Sequence, residues 1–132
     1  MANPISKELK IGTIGELLVQ IRLLQLGIQA STPLKDSGND LVALKGFCVQ
    51  TIQVKTTSVG DLPAWPAADK QYHLLAVVKL SGFDTTLELD KTEIFLLPKD
   101  SLSSLKRSWS SLQKFCLSPS LIDQYFSRHN TA

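Results

Sequence analysis

The sequence predicts an α/β or α+β fold in a single domain. Three observations lead there: a helical apolar pattern near the start, three or four strand-length apolar runs through the middle, and helix-starting signals towards the end. With 132 residues the chain has room for one domain, 1–132, and hardly for two. Its hydrophobic content of 43% is enough for a packed core and argues against disorder.

The first element is a helix over residues 7–26. Ile14, Leu17, Leu18, Ile21 and Leu24 recur at three- and four-residue spacing, and Gly27 is a stop signal. Val19, Leu23 and Leu26 form a second apolar stripe on the other side. That stripe calls for cover, either from a later helix or from a second subunit. Glu16 and Gln20 lie one turn apart on the flank between the stripes. Residues 28–39 carry Pro33, Ser37, Gly38 and Asn39, and part of this stretch reads as a loop. Residues 41–44 and 49–57 read as strands, with Lys45-Gly46-Phe47 as a tight connection. Residues 59–69, with Gly60, Pro63 and Pro66, read as an extended loop carrying Trp65.

A second strand pair follows in the pattern. Residues 72–80 are an apolar run of strand length, residues 81–85 are turn-like, and residues 94–97 form a short strand ended by Pro98. Asp100 or Ser101 is placed to cap a helix running towards Leu105. Residues 119–128 read as a closing helix with Pro119 in its first turn.

Composition narrows the functional classes. The 14 basic and 12 acidic residues leave a net charge of +2, which permits a nucleic-acid partner without arguing for one. Cys48 and Cys116 give neither a disulfide framework nor a zinc pattern, and each reads as a small reduced core residue. No secretory signal is visible, and no apolar window approaches membrane-spanning length. A reducing cytoplasm is the expectation.

The stretch TIQVKTT, residues 51–57, carries the chemistry. Side chains alternate along a strand, so Gln53 and Lys55 share one face while Ile52 and Val54 share the core face. A hairpin turning at Gly46-Phe47 sets Asp40 opposite Gln53, in the same polar group; a one-residue slip would undo this. Glu16 reaches the spot if its helix packs along the sheet edge. Two carboxylates, an amide and an ammonium then converge from three elements. Hydrolysis of a phosphodiester wants such a set around a divalent cation that polarises the phosphate and activates a water. Magnesium takes hard oxygen ligands: Asp40, Glu16, the backbone carbonyl of Val54 and the amide oxygen of Gln53 are candidates. Lys55 would hold positive charge beside the attacked phosphate or orient the water.

These segments, Gly12-Thr-Ile-Gly15-Glu16, Gly38-Asn39-Asp40-Leu-Val and Gln53-Val54-Lys55, resemble the PD-(D/E)XK nuclease superfamily. The resemblance covers about the first half of the chain, and the joint order and spacing carry it. Size and motif order look most similar to a small homing endonuclease branch, with Holliday-junction resolvase relatives beside it. The resemblance implies a restriction-endonuclease-like core, with a mixed central sheet flanked by helices. It implies an endodeoxyribonuclease dependent on Mg2+ or Mn2+, working on DNA, usually as a homodimer. On it, Glu16 and Asp40 become metal ligands and Lys55 the catalytic lysine. Asn39 stands where the motif has proline, and Gln53 where Asp or Glu is usual.

Each residue also has a plainer reading. Glu16 alone is a solvated helix residue, Asp40 a turn residue, and Lys55 a lysine on an exposed strand face. Gln20 is a second partner for Glu16 or a helix-surface residue. Trp65 stacks on a base or packs beneath its loop. Lys35 and Lys45, with Lys70 and Arg22, contact phosphates or sit on a solvated face. His73 and His129 are too isolated to argue for a metal or a general base. Besides the nuclease, the sequence leaves open a catalytically weak or inactive nuclease-fold module that binds DNA or assembles, with Gln53 as the feature favouring it.

Overall fold

The computed structural model describes residues 4–34, 40–58 and 60–127. Helix α1 spans Lys7–Gln25. Ser6 caps its start, its hydroxyl accepting the Leu9 N–H at 3.1 Å. Its end is a Schellman motif: Ile28 N–H donates to Leu23 O and Gly27 N–H to Leu24 O. The left-handed φ of +86° at Gly27 makes this turn possible, so the expected stop is met.

Among the described residues five strands form one sheet in the order β1-β2-β3-β4-β5: β1 Gln29–Ser31, β2 Leu41–Lys45, β3 Cys48–Thr57, β4 Leu74–Lys79 and β5 Glu93–Pro98. Strands β3 and β4 are parallel; every other pair is antiparallel. The sheet is therefore mixed. Strands β2 and β3 turn at Gly46-Phe47, with Gly46 at φ +61° in the first turn position, as a type II′ hairpin requires. Leu41 pairs with Ile52, which is the register expected from the sequence.

Two apolar layers cover the sheet. Helix α1 packs on the face of Ile52, Val54, Leu74, Ala76 and Val78, together with α3, Pro119–Tyr125. On the other face Leu75, Val77, Phe95 and Leu97 meet Leu62, Trp65, Tyr72, Leu102, Leu112 and Trp109. These come from the long crossover after β3, from a 3-10 turn at Lys99–Ser104 and from α2, Trp109–Leu112. Strand β4 is apolar on both faces because both are covered.

Several expectations change. In α1 the sheet-facing stripe is Gly15, Val19 and Leu23, with Val19 and Leu23 at 0% exposure. Leu17, Ile21 and Leu24 face outward at 52%, 56% and 68%. The stripe expected to call for a later helix or a second subunit is thus covered by the chain's own sheet. Cys48 is buried as expected, but Cys116 is exposed, at the end of a 3-10 turn beside β5. Neither Asp100 nor Ser101 caps a helix: the segment is a 3-10 turn whose Ser101 hydroxyl donates to Pro98 O at 2.7 Å. Among the described residues no helix is long and apolar enough to cross a membrane.

Candidate active site

The β2 ladder ends where Asp40 N–H donates to Ile52 O at 2.9 Å. Beyond that point β3 runs on without a β2 partner. The half-buried Asp40 carboxylate turns into this opening. Its Oδ2 accepts the Val54 N–H at 2.8 Å and the Gln53 side-chain Nε2–H at 2.9 Å. In an antiparallel ladder one residue's N–H and C=O point to the same neighbour. The Val54 carbonyl therefore faces the same opening as the amide that holds Asp40.

Lys55 leaves β3 two residues after Gln53 and so on the same face. In the parallel register Gln53 and Lys55 lie beside Leu75 and Val77 of β4. Glu16 comes from the opposite face. Its neighbour Gly15 lies directly against Thr56 of β3, so close that a Cβ at Gly15 would fall 1.8 Å from the Thr56 hydroxyl oxygen. Gln20, one turn on, lines a groove with Gln29 and Ala30 of β1. The Glu16 flank of α1 is therefore turned to the β1–β2 side, where β3 beyond Ile52 has no strand partner among the described residues. Thr56 and Val54 are two residues apart on one strand, roughly 7 Å. Gly15, the residue before Glu16, and Asp40 thus meet β3 two residues apart, at Thr56 from α1 and at Val54 from the start of β2.

What this set can hold follows from its donors. Carboxylates, a backbone carbonyl and an amide oxygen are hard ligands, suited to Mg2+ or Mn2+. Among the described residues no three His, Cys, Asp or Glu side chains cluster to hold a metal ion. A pair of carboxylates still suits magnesium, which keeps several waters. Gln53 donates its amide N–H to Asp40, and its Oε1 is the atom it can offer to an ion.

Lys45 lies apart from this cluster. It ends β2, about 16 Å along the strand from Asp40, and its Nζ is 3.5 Å from Asp123 Oδ1. Trp65 is half-buried and packs with Leu62 on the second apolar layer. Gln20 is half-buried on α1. Lys35, and Asp36, Gly38, Asn39 and His129 with it, lie outside the described residues. His73 is part of the sheet frame: its Nδ1 accepts the Thr51 N–H at 3.0 Å.

Residues that sequence reasoning passed over hold the loop after β3. Trp109 donates its indole N–H to Gly60 O at 2.6 Å, and Arg107 donates to Leu62 O at 3.2 Å. Lys79, paired with Thr57 at the end of β3, sits 4.8 Å from the Trp109 ring centre. Burial raises the Tyr72 hydroxyl pKa on this layer. No sequence signal links these residues, because each contact joins distant segments.

No protein-family model matches the chain, and no curated protein matches it. Its mixed five-stranded sheet with flanking helices is an α/β fold similar to that of a homing endonuclease. One solved structure that shows this is I-Ssp6803I, a bacterial homing endonuclease: the TM-score is 0.67, over 94% of this chain and 96% of that one, at 19% identity. At that identity the likeness is one of fold.

Proposed function

We propose that the chain is a metal-dependent DNA endonuclease of the PD-(D/E)XK type, hydrolysing phosphodiester bonds as a homing or junction-resolving enzyme. The observation that carries this reading is the Asp40 carboxylate, held by Val54 N–H and Gln53 at the open edge of β3, with Lys55 on the same strand. The likeness of fold to a homing endonuclease supports it.

In this reading Glu16, Asp40, the Val54 carbonyl and Gln53 Oε1 hold Mg2+ or Mn2+. Bound there, the ion supplies a polarised phosphate and a water of lowered pKa. Lys55 stabilises the charge that develops on the attacked phosphate and orients the water. Gln53 keeps the Asp40 carboxylate turned into the opening. It also spares the incoming phosphate the repulsion of a third carboxylate. Lys45 stands away from the cluster, so as a DNA contact it serves a flanking position rather than the cut bond; Trp65, on the layer of Leu75 and Val77, is a second DNA contact, and Gln20 supports Glu16. Cutting both strands of a duplex calls for two such sites, so a homodimer belongs to the proposal, and DNA as substrate implies an intracellular place. A monomeric mass at micromolar concentration alongside double-strand cleavage would reject the dimer.

The test is cleavage of supercoiled plasmid and of branched DNA with Mg2+ or Mn2+. Wild type is expected to cut, and the Asp40→Ala/Lys55→Ala variant is not; equal cutting by both would overturn the assignment.

A second reading is a DNA-binding or assembly module with weak or absent catalysis. The Gln53–Asp40 hydrogen bond favours it, because it satisfies Asp40 without an ion. Calorimetric titration separates the two: no heat with Mg2+ or Mn2+, with DNA affinity intact, supports the module.

A further inference from the structure

Gly15 occupies the middle of α1, where glycine is a poor helix former. Its backbone conformation does not demand glycine, since the positive-φ glycines of the described chain are Gly27, Gly46 and Gly82. Gly12, one turn earlier, has open space: a Cβ there meets nothing within 4 Å. At Gly15 a Cβ would fall 1.8 Å from Thr56 Oγ1 and 2.8 Å from both Thr56 Cβ and Cγ2. Turning the threonine about χ1 cannot clear that contact, because its own Cβ is among the atoms in the way. The Thr56 hydroxyl is buried with no hydrogen-bond partner among the described residues. Thr56 thus fills the contact by shape and not by hydrogen bonding.

We propose that Gly15 is a positioning residue: its contact with Thr56 sets how closely α1 lies on β3, and so where the Glu16 carboxylate stands relative to Asp40. This rests on the reading of Glu16 and Asp40 as a metal-binding pair. Even with the threonine turned, its Cβ at 2.8 Å must move out to ordinary van der Waals distance, so α1 lifts locally on the order of 1 Å. Misplacement of about 1 Å in a catalytic arrangement can cost 100-fold in rate.

Four variants test it: Gly15→Ala, Thr56→Gly, the double variant, and Thr56→Val, which keeps the shape of the contact. Mn2+ affinity by calorimetry, DNA affinity without metal, thermal unfolding and single-turnover cleavage are read for each. Gly15→Ala is expected to weaken Mn2+ binding at least tenfold and slow cleavage about 100-fold, with metal-free DNA affinity within about threefold. Gly15→Ala/Thr56→Gly is expected to recover most of both, and Thr56→Val to match wild type. Gly15→Ala with wild-type Mn2+ affinity overturns the proposal, as does a folded double variant that recovers nothing. If Gly15→Ala does not fold, the double variant decides: one that folds and binds Mn2+ supports the contact, and one that folds no better counts against it. Wild type that neither binds Mn2+ nor cuts DNA removes the endonuclease reading itself. Wild type that binds Mn2+, with Gly15→Ala unaffected, removes this inference alone.

Discussion

Replacing Gln53 by glutamate would separate the two jobs that its position can do. In the structure Gln53 donates to Asp40 Oδ2 at 2.9 Å. Gln53→Glu removes a hydrogen bond to a charged acceptor, about 1.5–3 kcal/mol. It also brings a second carboxylate to the same place. Two unit charges about 3 Å apart repel by roughly 1–6 kcal/mol between the dielectric of water and that of a protein surface. The new side chain can swing away, so the net loss without metal is expected near the bottom of that range, about 2 kcal/mol. For a chain of this length that lowers the unfolding midpoint by roughly 6–8 °C. With Mn2+ the sign reverses, because the glutamate becomes a charged ligand and binding stabilises the folded state by mass action. Thermal unfolding at neutral pH with and without Mn2+ is the assay. The variant is expected to melt lower than wild type in chelator and to gain more from Mn2+. A variant that melts with wild type in chelator and shows the same Mn2+ response would refute the placement of Gln53 beside both Asp40 and the ion.

Lys55→Ala is expected to slow cleavage at least 100-fold, the scale of one lost electrostatic stabiliser. Mn2+ affinity by calorimetry should change less than threefold, and an equal loss of both would make Lys55 structural. Burial pushes the Tyr125 hydroxyl from its ordinary 10.0 up to about 12, while the group donates to Leu96 O at 2.9 Å. Between those values the unfolded tyrosine loses its proton and the folded one keeps it, so stability falls as pH rises through that window. Unfolding midpoints against pH should show this fall for wild type and a shallower one for Tyr125→Phe; parallel curves would contradict it.

Local signals carried much of the fold. The Gly27 stop, the Gly46-Phe47 turn and the alternation along β3 placed Asp40 against Gln53, because each acts over a few residues. Strand β1 was not legible: Gln29-Ala30-Ser31 is short and mostly polar, and only pairing with the distant Val42 and Leu44 makes it a strand. Helix α2 is too short for any periodicity to show. Periodicity identified both stripes of α1 but could not say which meets the sheet. The contact of Gly15 with Thr56 decides that, and it joins residues 41 apart in sequence. At the site, the residue types and their order were readable. The direction of the Gln53 amide was not, because a glutamine offers either end and only the neighbouring carboxylate chooses.

Crystals soaked in Mn2+ and measured at the manganese edge show whether an ion lodges between Asp40 and Glu16. An anomalous peak is expected, bounded by carboxylate oxygens of Asp40 and Glu16, the carbonyl of Val54 and Gln53 Oε1, with the Lys55 ammonium on the phosphate side. A fully occupied peak elsewhere, or none at saturating Mn2+, would contradict it.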